Sequence, residues 1–208
     1  MAVSTKLISG CKALVNQCAG VKASDNVLIV SNEKTKFIGK CLYQESMEIT
    51  DSAKIITIPE FSIHGQEPPP DIANEMQSSN VIFGLTTKSM AHTSAVIEAL
   101  RNGAKYLSLA DYSRTVIESQ ALLVDFRKIL PVSEKIAEML SKGNSIRIKS
   151  DLGTDLTCDI KGRTGNSAPG FCRKPGDISS PPDAESNIAL IEDGSNGTLI
   201  VDGSIPCD

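Results

Sequence analysis

The sequence predicts an α/β protein: an open, mostly parallel, Rossmann-like or flavodoxin-like sheet with helices on both faces, followed by a small β-rich C-terminal segment. Three observations carry this expectation. Short apolar runs, NVLIVS, KIITI, VIFGL and YLSLA, have the texture of strands buried on both faces. Longer segments of helical spacing separate them, and crossovers of that length join parallel strands. After Gly143 the helical period gives way to alternation and then to Gly, Pro and Ser, which places a boundary between residues 1–143 and 144–208.

Each element follows from a local pattern. Thr5 to Cys18 sets Leu7, Ile8, Cys11, Leu14, Val15 and Cys18 on one helical stripe, which Gly20 ends. Asn26 to Ser31 is the first strand. Thr35 to Ile49 returns to helical period through Phe37, Ile38, Cys41, Leu42 and Met47. Lys54 to Ile58 is expected as a second buried strand, and the loop PEFSIHGQEPPPD brings Asp71 to cap a helix running to about Gln77. Val81 to Leu85 is the third strand, Thr86 to Met90 a polar turn, and His92 to Arg101 a helix stopped by Gly103. Tyr106 to Ala110 is the fourth strand. A further helix ends at Leu140. Ser145 to Lys149 and Leu156 to Ile160 alternate around SDLGTD as a hairpin. Gly162 to Pro182 shows no periodicity, and Thr198 to Val201 is one more strand.

Composition removes several function classes. A net charge of −4 with no basic cluster gives no electrostatic footprint for nucleic acid. Aromatics at 4% and the absence of Trp leave little for stacking bases or sugars. No apolar run reaches the length of a bilayer span, and the N-terminus lacks a signal-peptide h-region, so a cytoplasmic protein without membrane contact is expected. The six cysteines form no C-x-x-C pair and read as small buried hydrophobes of a reducing compartment. Neither G-x-G-x-x-G nor G-x-x-x-x-G-K-[ST] occurs, and the loop after the first strand, SNEKTK, has no glycine to let a phosphate approach the backbone.

Ligands of open parallel sheets bind at the carboxyl ends of the strands. Two loops expected there hold both histidines, so His64, Glu67, Ser89 and His92 are the candidates for a polar ligand pocket. The plainer alternative is that His92 and Thr93 satisfy backbone groups at a helix start and that His64 is solvated. No G-x-S-x-G elbow supports a nucleophilic serine. The acidic tail, with Asp183, Glu185, Glu192, Asp193 and Asp202, lacks histidine and reads as solvated carboxylates rather than a two-metal site.

The run HGQEPPPDIANEMQSSNVIFGLTTKSMAHTSAVIEALRNGAKYLSLA, with SDLGTDLTCDIKGR and PPDAESNIALIEDGSNGTLIVDGSI, resembles the N-terminal domain of the aminopeptidase T, or leucyl aminopeptidase-like, metallopeptidases. The same superfamily includes the iron-dependent 2,5-dihydroxypyridine 5,6-dioxygenases. The resemblance covers nearly the whole chain through HGxEPP, SxxHT and GTDLTxDIxGR. It implies a divalent metal (Zn, Co, Mn or Fe) and places Glu185 where the aminopeptidases carry a metal-ligating glutamate and the dioxygenase relatives do not. The family's other ligands lie in a C-terminal domain beyond the match. The chain is therefore expected to be a truncated or split metallohydrolase, inactive alone, and completed by a separate chain or by homo-oligomerisation. The alternatives are a non-catalytic binding module around His64 and His92, or a relative of the dioxygenases. A flavodoxin-like redox protein is disfavoured by the missing phosphate loop.

Overall fold

The computed structural model describes residues 4–203. Cys207, Asp208 and the end of the expected strand TLIVDGSI lie outside the described residues. By contacts the chain falls into two units: one takes in the chain up to Arg127 together with Ala168–Ala184, the other Lys128–Ser167 and the chain from Glu185 on.

The first unit opens with α1 (Thr5–Lys12), which Ser4 caps by accepting from the Leu7 N–H. A π-helical stretch, Ala13–Ala19, continues it until Gly20 turns left-handed at φ 57°. Then follow β1 (Val27–Ser31), α2 (Lys36–Met47), β2 (Ala53–Thr57), α3 (Pro70–Gln77), β3 (Val81–Leu85), α4 (Ser94–Arg101), β4 (Lys105–Ser108) and the single-turn α5 (Arg114–Ile117). Strand pairing is parallel throughout, with Val27 level with both Ala53 and Val81, and Val81 level with Lys105.

Among the described residues the sheet order is β2–β1–β3–β4, followed by β8 (Ile178–Ser179). That last strand pairs Tyr106 with Ile178, and the sequence gives no warning of it because two residues carry no period. Two further bonds hold its segment in place: Cys172 N–H donates to Cys18 O at 2.8 Å, and the Tyr112 hydroxyl donates to Pro181 O.

Every residue of β1 and of β3 is buried, as their unbroken apolar runs require. One face packs Leu28, Val30, Ile82 and Tyr106 against Ile72, Met76 and Val96 of α3 and α4. On the opposite face Gly39 brings α2 against Ser31, Ile55 and Leu85, where an added Cβ would meet the Ile55 side chain at 2.9 Å.

Two local expectations change. β2 is not buried on both faces: it forms the edge of the sheet, with Lys54 exposed and paired to Glu75 at 2.5 Å. Charged residues suit an edge because they discourage a further strand. Asp71 is not the cap of α3 either. The cap position is Pro69, with Pro70 opening the helix, so Asp71 stands in the first turn, where its charge favours the helix dipole.

The second unit contains α6 (Leu130–Lys142), β5 (Ser145–Lys149) and β6 (Asp155–Asp159), with β9 (Glu185–Asn187), β10 (Ser195–Thr198) and all of β7 (Asn166–Ala168) but its last residue. β5 and β6 form the expected antiparallel hairpin, from Ser145 opposite Asp159 to Lys149 opposite Asp155. β10 adds to the other side of β6, and β7 pairs with β9. The last strand sits earlier than Thr198 to Val201. Gly197, at φ 133°, lets the chain approach β6 so closely that a Cβ there would lie 2.1 Å from Asp155 O. Backbone access decides the pairing, and the apolar residues Leu199, Ile200 and Val201 run past it at 62%, 41% and 52% exposure.

Candidate functional site

The carboxyl ends of β1, β2 and β3 are tied together by side chains that bond to backbone. Asn32, the first residue after β1, is fully buried. Its carboxamide nitrogen donates to Ile58 O at 3.2 Å and Pro59 O at 3.0 Å. Its carboxamide oxygen accepts from the Thr87 N–H at 2.6 Å and the Thr87 hydroxyl at 3.2 Å. Thr35 assists: its hydroxyl donates to Leu85 O at 2.6 Å and accepts the Asn32 N–H at 3.0 Å. Sheets with this strand order change direction between β1 and β3, the usual place for a ligand crevice. Asn32 and Thr35 stand there. No sequence motif marks Asn32; its position directly after a central parallel strand is the signal that could have found it.

The loops after β2 and β3 are joined a second time further out. Gly65 N–H donates to Ser89 O at 2.8 Å, and Ser89 N–H donates to His64 Nδ1 at 3.1 Å. With Nδ1 as acceptor, the neutral His64 ring carries its proton on Nε2. Glu67 receives the Ser94 N–H at 2.6 Å on Oε1 and the Ala95 N–H at 3.2 Å on Oε2. One carboxylate thus satisfies two free donors at the start of α4, while Thr93 accepts from Val96 N–H as the cap. The Ser94 N–H bond above all holds the Glu67 carboxyl below its ordinary pKa.

Of the expected pocket residues, the structure brings His64 and Ser89 into direct contact and puts Glu67 on the helix start beside them. His92 is exposed in the turn ahead of Thr93. A recess of about 320 Å³ opens beside the loop after β2, lined by Ile58–Phe61 and Gln66–Pro70. Glu67 is the member of the expected set that lines it.

Glu185 opens β9 in the second unit. Its side chain is exposed and accepts from the Asn187 carboxamide at 2.7 Å, and its carbonyl accepts from the Ser133 hydroxyl at 3.1 Å. Among the described residues no group of three or more His, Cys, Asp or Glu side chains is placed to hold a metal ion. The donors present therefore do not fit a complete divalent centre. The described cysteines are buried free thiols, and burial pushes those of Cys18 and Cys172 up to about 12. Thiols so raised are poor nucleophiles at neutral pH. Among the described residues no helix is long and apolar enough to cross a membrane.

Fold and loops together define an α/β protein with a flavodoxin-like strand order and a β-rich second unit. The sequence model of the 2,5-dihydroxypyridine 5,6-dioxygenase (NicX) family matches residues 6–205, and this chain belongs to that family. Among solved structures it is similar to the 2,5-dihydroxypyridine dioxygenase of Pseudomonas putida KT2440, with a TM-score of 0.75 and 14% identity, over 95% of this chain and 60% of that one. It is also similar to wild-type AmpT from Thermus thermophilus, with a TM-score of 0.60 and 12% identity, over 92% of this chain and 63% of that one. The chain therefore spans less than two thirds of either. No protein of curated function matches it. The likeness to AmpT is one of fold alone and does not single out the expected aminopeptidase N-terminal domain.

Proposed function

We propose that the chain is part of a metal-dependent enzyme of the ring-opening dioxygenase type, acting on a small hydroxylated nitrogen heteroaromatic such as a dihydroxypyridine. The observation that carries this reading is the family match over residues 6–205. In it the first unit is a scaffold whose bonded loops hold the carboxyl edge rigid, and the recess lined by Glu67, with the bonded pair His64 and Ser89 and the exposed His92 on the same two loops, is the ligand-facing surface. An iron ion, in this reading, would supply the redox chemistry. Its ligands are completed by a separate chain, by another copy, or by polypeptide beyond the described residues, since those residues do not assemble a set. The reading takes the protein as cytoplasmic.

A second reading, a divalent-metal aminopeptidase, rests on Glu185. The family resemblance puts this carboxylate at a metal-ligating position, and the structure leaves it exposed on β9.

One assay separates the two. Protein taken in whatever length it occurs in its source is loaded with Fe(II) without oxygen, then given 2,5-dihydroxypyridine and air. Loss of the ring chromophore with one dioxygen consumed per ring supports the dioxygenase. Hydrolysis of leucyl-p-nitroanilide with Co, Mn or Zn, without ring loss, overturns it in favour of the peptidase. The recombinant 208-residue chain alone is expected to turn over neither; robust EDTA-sensitive turnover by it would show that its own residues complete the centre.

A further inference from the structure

The amino end of the sheet, opposite the loops that hold Asn32 and Glu67, carries a recess of its own. Asp25 and Asn80 stand just ahead of β1 and β3, and Lys105 opens β4. With Lys22, Arg173 and Lys174 they line a space of about 310 Å³. All of these residues belong to the first unit. Four of the six carry positive charge, on a chain whose net charge is −4.

Part of that charge answers structural needs and part does not. The π-helical stretch ends here, and Lys105, its side chain 12% exposed, donates to the carbonyls of Ala19 at 2.5 Å and Gly20 at 2.9 Å. An ammonium has three N–H groups. Asp25 Oδ2, at 3.9 Å, is an ion-pair partner for Lys105 but lies beyond hydrogen-bond reach, and the same oxygen accepts the Lys22 N–H at 2.9 Å. Asp177 accepts the N–H groups of Arg173 at 2.7 Å and Lys174 at 3.1 Å, which fixes their backbone, and pairs with Arg173 Nε at 3.6 Å. Lys22 and Lys174 have no ion-pair partner among the described residues, so two positive charges stay unmatched. Burial above all, with a smaller push from the Lys22 charge, lowers the Lys105 pKa against the pull of Asp25. The two ammonium groups thus repel each other across the recess, and an anion between them would relieve that repulsion.

We propose that this recess binds the phosphate group of a small molecule. A phosphate monoester carries nearly two negative charges at neutral pH, which matches the two unmatched lysines, and its oxygens accept strong hydrogen bonds from ammonium and guanidinium donors. The proposal is independent of the reading of the enzyme's chemistry, which uses the other end of the strands.

The test follows the melting temperature of the 208-residue protein against inorganic phosphate, glycerol 3-phosphate and succinate, with ionic strength held constant by sodium chloride. Phosphate or its ester should raise it along a saturating curve. A rise that stays linear is a general salt effect and overturns the proposal. Tighter binding of the ester identifies a phosphorylated small molecule, tighter binding of phosphate identifies the free ion, and either upholds the site. Lys22→Glu and Lys174→Glu should each raise the half-saturating concentration about tenfold, as reversal of a contacting charge does. Lys174→Arg should retain binding. Lys34→Glu, the same charge change at the carboxyl end of β1, should leave it unaltered. Lys22, Lys34 and Lys174 are exposed, and circular dichroism checks that each variant stays folded. Equal weakening by Lys34→Glu, no weakening by Lys22→Glu and Lys174→Glu, or succinate saturating as tightly as phosphate would each overturn the proposal.

Discussion

Replacing Asn32 with alanine removes the carboxamide that joins the ends of three strands. Four bonds go: two to the carbonyls of Ile58 and Pro59, and two from Thr87. The Asn32 side chain is fully buried, so water reaches the orphaned groups only by entering the space the amide leaves. A typical hydrogen bond contributes about 1 kcal/mol net, and an unsatisfied buried group costs about 1–3 kcal/mol. Carbonyls tolerate loss of one partner better than the Thr87 N–H does, and one admitted water would recover part of the loss. The expected destabilisation is therefore about 2–4 kcal/mol.

Urea unfolding followed by tyrosine emission measures it in the right place. There is no Trp, and Tyr43, Tyr106 and Tyr112 all belong to the first unit, so the signal reports the unit that carries Asn32. With a slope of about 2 kcal/mol/M the midpoint should fall by roughly 1–2 M. Asn32→Asp extends the argument. Its carboxylate would face two carbonyl oxygens, which raises its folded pKa, so this variant should regain stability as pH falls through that raised value. A shift below about 0.5 kcal/mol for Asn32→Ala, within the range of ordinary surface changes, would refute the claim that this residue locks the edge.

Three further outcomes are expected. Glu67 has a depressed folded pKa, so its stabilisation is present above the ordinary carboxylate value of 4.5 and is lost as pH falls through the folded value. Glu67→Gln should cost about 0.5 kcal/mol at neutral pH, modest because the group is exposed, and should flatten the acid side of the melting profile; parallel profiles would refute this. Gly84→Ala would put a Cβ 2.0 Å from the Tyr106 hydroxyl and should cost about 2–3 kcal/mol. That hydroxyl has no partner among the described residues, so Tyr106→Phe should be near neutral alone and should relieve part of the Gly84→Ala cost in a double-mutant cycle. Gly197→Ala should release β10 while sparing the β5–β6 hairpin, seen as faster amide exchange on the β10 side of β6 only; unchanged exchange would place the pairing elsewhere.

What could be read in advance was what local chemistry encodes. β1 and β3 are five-residue apolar runs and are buried throughout. The turn SDLGTD makes the hairpin of β5 and β6, and Gly20 ends its helix in the left-handed conformation that its lack of a Cβ permits. Strand order is not local, so KIITI looked as buried as its neighbours although it forms the edge. β8 depends on a distant segment returning to β4, and two residues cannot announce that. At the candidate site the sequence singles out His64, Glu67 and Ser89 by residue type and loop, but not the bonds they make. Glu67 reaches the start of a helix 27 residues on, a relation with no trace in sequence spacing. Asn32 leaves no such trace either: its partners are supplied by loops after two other strands.

Those bonds give the carboxyl edge its character. In an open parallel sheet of this order, the gap between β1 and β3 is where a phosphate or a flavin would ordinarily rest. Here a carboxamide from the chain offers two donors and accepts two, and so fills that gap from within. The glycine-free SNEKTK loop has the same explanation: a backbone that Asn32 and Thr35 bond shut has no need to admit a phosphate. The recess lies to one side, under a loop stiffened by Pro68, Pro69 and Pro70, whose fixed φ leaves it few alternative shapes. A recess of about 320 Å³ is at the small end of ligand pockets. On the proposed reading, Asn32→Ala should then raise KM for the ring substrate, because the loop that walls the recess is held through Ile58 and Pro59, while a residue whose role is confined to the second unit would leave KM unchanged.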